Sequence, residues 1–540
     1  MERRTLIAIM LIIIVFWLSN ELIWKNKKPQ IESEPSQNIE ETATVSVDQT
    51  TVLPAVDTAK VIIPESVALP DLEVNNQIIL ENEHVMIVFS NMGGVVHSII
   101  LKDYFLADKI NNVNLVPADL NLLSNMITTS EGNMLSLAGN VFSWQMVPEK
   151  LQVRFLYQKE DMLWEKIYSL TGENRLELQI NYSGSKFITN YRIDFDSGIA
   201  DTEKYLKMKS RDYKIIAQID NEITRTTLVK LKEEKQYSGK IDWAAIRSKY
   251  FALGIISSDL VNMNGINMFN NGSSPAMKLS VMTNSQQFNH NYTLYLGPLV
   301  YDKLKNYGNG FDNILEMGPK FLQWISKIFL VFLKFLNGIV PNWGICIIIF
   351  SLLLKVILYP LTHKSFESSH KMQKVQPRLR ELQAKYRSDP RTLNVEMKKL
   401  YREHGVSPLG GCLPMLLQMP ILFALYPILR YSIDLRQTGF LWLHDLSEPD
   451  GTMILPIAMA IFMFVQQKFM SPPKATMDKM DEKQQAAMQS QKMMMYFMPV
   501  LMFFIFKSLS SGLVLYWTVF SIASTVHQYF IKKRFTKEEK

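Results

Sequence analysis

The stretch FSLLLKVILYPLT, residues 350–362, is an apolar run with a single charge, Lys355, set inside it. An ammonium held at mid-membrane costs about 2.5–3.5 kcal/mol on insertion scales, so its presence calls for a use or an escape. The chemistry open to it is electrostatic: a fixed positive charge attracts carboxylates. Lys355 stands six residues before Leu361, roughly 9 Å along a helix, and a lysine can snorkel part of that way. Depth alone therefore leaves two readings, a snorkelling lysine and a working one. Ser351, Tyr359 and Thr362 at −4, +4 and +7 share its helical face. In the last apolar segment Trp517, Ser521, Ser524 and Gln528 form a second polar stripe, and Gln418, Gln466 and Gln467 lie in two other apolar segments. Polar side chains on several membrane helices require partners or water. No acidic residue stands within these segments to pair with Lys355. The pattern predicts a shared, water-containing polar groove open to the cytoplasm.

Other chemistries find no support. The two cysteines are Cys346 and Cys412, too few for a disulfide framework, and no metal-ligand spacing, phosphate-binding loop or nucleophile elbow occurs. The histidines are scattered, and His84, His97 and His290 read as ordinary surface or strand residues. A net charge of +7 over 540 residues does not by itself indicate a nucleic-acid domain.

Apolar residues concentrate at 5–23 and through 340–530, whereas 25–320 reads as water-exposed protein. Residues 1–24, with Arg3 and Arg4 ahead of the apolar run and no small-residue cleavage pattern after it, predict an uncleaved transmembrane anchor with its N-terminus in the cytoplasm. Residues 25–75, rich in Pro, Glu, Gln, Ser and Thr, predict a flexible periplasmic linker. From 76 to 315 the alternation is that of strands, as in Leu176, Leu178, Ile180 and Tyr182, with turns such as Thr171-Gly172-Glu173-Asn174 between them, which predicts an all-β sandwich. Residues 316–338 carry Lys320, Lys327 and Lys334 seven apart on one face of an otherwise apolar helix, which predicts an amphipathic helix lying in the membrane interface.

The remaining segment, 339–531, predicts a multi-span α-helical core with spans at about 341–361, 413–433, 452–469, 493–509 and 512–530. Between the first two, residues 362–412 hold eleven basic against five acidic residues, whereas 434–451 holds Asp434, Asp445, Glu448 and Asp450 against Arg436 alone. The positive-inside rule then places 362–412, 470–492 and the basic tail 532–540 in the cytoplasm and the β-domain in the periplasm of a bacterial inner-membrane protein. The segment 362–412 reads as two polar helices turning at Ser388-Asp389-Pro390 and ending at Gly405. With few large apolar residues it should have little to bury. Its basic residues Lys371, Lys374, Arg378, Arg380, Lys398 and Lys399 suit contact with ribosomal RNA, anionic lipid or a targeting factor, or serve simply as a solvated loop. The next loop is rich in methionine, which adapts to varied apolar partners.

The stretches LYPLT (358–362), SPLGGCLPMLLQMPILFALY (407–426), WLHDLS (442–447), QQKFMSP (466–472) and SGLVLYW (511–517) resemble, in order, the core of the YidC-type membrane protein insertases. NMGGVVHSIILKDY (91–104), KYFALGI (249–255) and LYLGP (294–298) resemble the large periplasmic domain of the Gram-negative form. The resemblance implies five core helices around a hydrophilic groove open to cytoplasm and lipid, an anchor helix, and a periplasmic β-super-sandwich. It implies insertion and folding of nascent membrane proteins, alone or with the Sec translocon. Substrates would arrive from ribosomes and the signal-recognition pathway, with membrane lipid as surroundings; the resemblance implies no small-molecule substrate, no enzymatic reaction and no cofactor or metal. The family's groove arginine falls at Lys355, so the charge is kept and the five-donor fork is lost. Ser351 matches a groove position that is usually threonine, and Tyr516 and Trp517 match the substrate-contacting aromatics. Gln418, Gln466 and Ser521 complete the expected groove set. Two rival functions remain: a small-solute transporter built on Lys355, for which no internal repeat is visible, and a sugar-binding envelope scaffold built on the β-domain.

Overall fold

The computed structural model describes Val74 and residues 77–258, 261–386, 388–406, 413–470 and 496–538. The expected anchor, nearly all of the linker, Cys412 and the methionine-rich stretch 471–495 lie outside the described residues.

Among the described residues, seventeen strands build two sheets, one of four strands and one of thirteen, paired antiparallel throughout. The two longest, Arg175–Phe195 and Pro275–Pro298, run side by side from Arg175↔Tyr295 to Phe195↔Met277. Register shifts between Ser183 and Asn190 let each strand change neighbours halfway: the first half of Arg175–Phe195 pairs with Met162–Leu170 and the second with Ser124–Thr129. The alternating residues Leu176, Leu178, Ile180 and Tyr182 are all buried, the inward face of a half-exposed strand. One apolar core takes side chains from both sheets, and Phe89 of the small sheet packs 4.8 Å from Tyr168 of the large one. That makes the domain a β-sandwich.

Eight helices follow: α1 (Gln323–Ile339), α2 (Trp343–Ile357), α3 (Tyr359–Lys385), α4 (Pro390–Glu403), α5 (Leu413–Tyr431), α6 (Ile454–Met470), α7 (Tyr496–Phe506) and α8 (Ser511–Glu538). Their shared core draws on α1, α2, α5, α6, α7 and α8. Among the described residues only Lys320–Ile339 is long and apolar enough to cross a membrane alone. The first expected span is instead a bent pair: α2 stops at Ile357, and α3 leaves at 63° with Pro360 in its first turn. The helices α6 and α7 are short apolar helices, so helix length by itself does not return the five expected spans.

The helix α1 has three faces. Lys327 lies over the Tyr301 ring and Lys334 pairs with Asp302 at 2.7 Å, so two of the three striped lysines meet the end of the β-domain. Leu333 and Leu336 are buried against the bundle, while Phe321, Trp324, Ile328, Val331, Phe335 and Ile339 form an exposed apolar stripe.

The helices α3 and α4 form a hairpin. The Asp389 carboxylate accepts from the Arg391 and Thr392 backbone N–H groups, Pro390 follows it as the first helical residue, and Gly405 ends the second helix at φ 58°. The expectation that this segment has little to bury is corrected here. Val375, Leu400 and Val406 are buried together, flanked by Met372, Leu379, Leu382 and Tyr401. These residues are far apart in the chain, and only the antiparallel turn gathers them.

Buried ion pairs join the β-domain to the bundle. Arg430 at the end of α5 reaches both carboxylate oxygens of Asp212 at 2.9 Å, and Tyr431 donates to the same carboxylate. Arg436 pairs with Glu203 at 2.8 Å and donates to the Thr202 carbonyl. Burial pushes the Glu203 carboxyl upward, and Arg436 opposes that shift. Lys249 donates to the Ser447 carbonyl, whose neighbours Leu446 and Glu448 accept from the first residues of α8. The β-domain thus meets one end of the bundle, with the bend after α2 at the other end.

Candidate functional site

Because α2 ends at Ile357, Lys355 sits in its last turn, where the helix dipole favours a cation. The side chain is 7% exposed and donates to the Ser524 hydroxyl of α8 at 2.9 Å. The rings of Phe520 and Phe366 stand 5.1 and 5.3 Å from its nitrogen. An ammonium against two aromatic faces and one hydroxyl is stabilised without a counter-ion. No carboxylate pairs with it among the described residues. The lysine therefore turns inward, against α3 and α8.

The bend also changes which neighbours share its face. Ser351 and Thr362 are buried, but Tyr359, expected on the same stripe, is 48% exposed. The face continues on α8 instead: Ser521, Ser524, Thr525, His527 and Gln528 are all buried. Ser351 donates to the Ile347 carbonyl, one turn back in its own helix. Gln418 of α5 donates to the Tyr516 hydroxyl at 2.7 Å. Tyr516 is fully buried, with Phe350 and Phe520 beside it, so its contacts run from Gln418 toward the Lys355 box. Trp517 is half-buried against Phe506 of α7. Gln466 is half-buried on α6 and makes none of the hydrogen bonds that hold Lys355 or Gln418. The structure thus gathers Lys355 and Ser521 on one seam, with Gln418 linked to it through Tyr516.

Among the residues of this seam missed from sequence are two histidines. His363 Nδ1 lies 3.1 Å from His527 Nε2, and the two rings stack with Tyr359 at the bend. Reading His527 as part of the stripe would have needed its partner, 164 positions away.

The hairpin bases face outward: Lys374, Arg378, Lys398 and Lys399 are exposed, Lys371 pairs with Glu367 at 2.8 Å, and Arg378 approaches His404. The side chain of Arg380 lies outside the described residues.

The bend, the box and the sandwich can be set beside known proteins. A family model described as the 60Kd inner membrane protein matches residues 335–539, and one described as the YidC periplasmic domain matches 77–332. The membrane protein insertase YidC of Chloroherpeton thalassium is 31% identical over 582 residues, covering 99% of this chain and 96% of that one. The membrane protein insertase YidC of Chlorobaculum tepidum is 31% identical over 86% of this chain and 83% of its own length. A crystal structure described as an active YidC insertase with the first transmembrane domain resolved aligns with 18% identity and a TM-score of 0.36, covering 85% of this chain and 95% of that one. Two family models laid end to end, and relatives matched over nearly their whole length, place this chain in the YidC family of inner-membrane protein insertases.

Proposed function

We propose that the seam around Lys355 is the path by which this insertase takes the polar segment of a client into the membrane. The observation that carries the reading is the ammonium itself: buried, held by a hydroxyl and two rings, and given no carboxylate among the described residues. An acidic group on a passing chain supplies the missing counter-charge, and in a low-dielectric surrounding that attraction is far stronger than in water. The client's apolar segment then leaves sideways into lipid, driven by burial of its apolar area. In this reading α2, α5, α6, α7 and α8 are the five core helices, with the β-domain in the periplasm and the hairpin in the cytoplasm. The exposed apolar stripe of α1, set against its lysine contacts with the β-domain, supports a place in the periplasmic interface. The outward bases of α3 and α4 suit reception of clients from the ribosome or a targeting factor. Cooperation with the Sec translocon belongs to the same proposal, on family likeness alone.

Site-specific photocrosslinking tests the path. A single-span client stalled during synthesis crosslinks to a probe at Trp517 and to probes along α5. Client contacts confined to the β-domain would overturn the reading.

A further inference from the structure

One turn beyond Ser524 on α8, Gln528 is 5% exposed, and among the described residues neither its amide nitrogen nor its amide oxygen has a hydrogen-bond partner. Its neighbour His527 also carries a buried ring nitrogen, Nδ1, without a partner. Buried polar groups in native proteins are nearly always paired, so three such atoms on consecutive residues need a reason. Gln528 borders a cavity of about 20 Å³, lined by Phe366, Ser369, His370 and Gln373 of α3, Phe469 of α6, and Ile531 and Lys532 of α8. Phe366 also forms one wall of the Lys355 box. The cavity therefore lies against the box, on the side away from the β-domain.

We propose that Gln528 is a docking group for the client's peptide backbone, at the entrance to the Lys355 groove. This rests on the groove reading and adds to it a second point of contact. A carboxamide offers one donor edge and one acceptor edge. A peptide unit presents the complementary pair, an N–H and a C=O. A phosphate headgroup only accepts, so it would pair with the amide N–H groups and leave the amide oxygen unpaired. Four residues of helix separate Ser524 from Gln528, about 6 Å, and an extended chain spans that in two residues. A client whose carboxylate meets Lys355 thus brings a peptide unit to Gln528 at the same time. Backbone recognition is blind to side chains, which suits a protein that must accept many sequences. The unpaired amide is the cost of keeping the entrance ready.

The test uses the full-length protein in membranes, a client with an acidic residue in its polar segment, and photocrosslinking probes at Ser369 and, separately, at Trp517. A probe at Ser369 is expected to crosslink the client within about two residues of the acid. Gln528→Met is expected to lower that crosslink and the insertion yield several-fold, to leave the Trp517 crosslink in place, and to raise the thermal midpoint, because it removes an unpaired buried amide. Three results would overturn the proposal. The probe at Ser369 takes up only lipid. It takes up nothing while the probe at Trp517 captures client. Gln528→Met lowers the thermal midpoint and leaves client capture unchanged, the signature of an amide satisfied by a resident water. Loss of both crosslinks in the unaltered protein defeats the groove reading itself. If Gln528→Met fails to accumulate, Gln528→Leu and the wild-type crosslink map carry the same decision.

Discussion

At the scale of single residues, the ion pairs of the joint make the sharpest claim. Arg430 and Asp212 are each buried and meet through both carboxylate oxygens. Removing one partner strands the other as an uncompensated buried charge, which costs about 3–5 kcal/mol. Asp212→Asn or Arg430→Met should each lower the thermal stability of the purified protein by that order. The double variant Asp212→Leu with Arg430→Met should recover most of it, because the stranded charge is gone. Single and double variants equally unstable would show that packing, not charge, holds the joint. None of this was visible in sequence. Asp212 lies 218 positions from Arg430, and Arg436 reads only as the lone base of an acidic loop, where it is in fact the buried partner of Glu203. Lys355 was legible because a charge in an apolar run is conspicuous. The bend beside it was not legible, because the apolar run continues to Leu361 while α2 ends at Ile357.

Elements were legible where one periodicity runs unbroken. The alternation through Leu176–Tyr182 and the seven-residue spacing of lysines in α1 both survive in the structure as strand faces and a helix face. The hairpin was half legible. Asp389, Pro390 and Gly405 announce its ends, but its core is assembled from residues that are apolar only in company. Leu400 is 7% exposed within that core. Leu400→Ala should cost about 2–4 kcal/mol of local stability. Limited proteolysis of the membrane-embedded protein should then cut within 386–406 at least several-fold faster, with the β-domain unaffected. Unchanged cleavage would mean the hairpin gains nothing from this packing.

At the scale of the molecule, the β-domain and the hairpin occupy opposite ends of one bundle, and the Lys355 seam lies toward the hairpin end. If insertion belongs to the seam, deleting residues 76–315 leaves Arg430 and Arg436 facing water, where their charges are comfortable, and substantial insertion activity should remain in a depletion strain. The intact domain carrying Asp212→Asn should fare worse than the deletion, since it alone leaves a charge buried and unpaired. Full loss on deletion would move the active part to the β-domain, as the sugar-binding alternative requires. The multi-span core was read from charge asymmetry and apolar content rather than from helix length, which the bend at Ile357 and the short helices α6 and α7 obscure.

The most direct measurement exchanges the groove charge. Wild type, Lys355→Arg, Lys355→Ala and Lys355→Glu are compared in depleted cells for insertion of two clients that differ only in an acidic or a neutral polar segment. The account predicts near-normal insertion of both clients with Lys355→Arg. It predicts a loss of roughly tenfold or more with Lys355→Ala, confined to the acidic client and corresponding to about 1.4 kcal/mol or more of lost attraction, and a deeper loss with Lys355→Glu. Full insertion of the acidic client by both the alanine and the glutamate variants would contradict it.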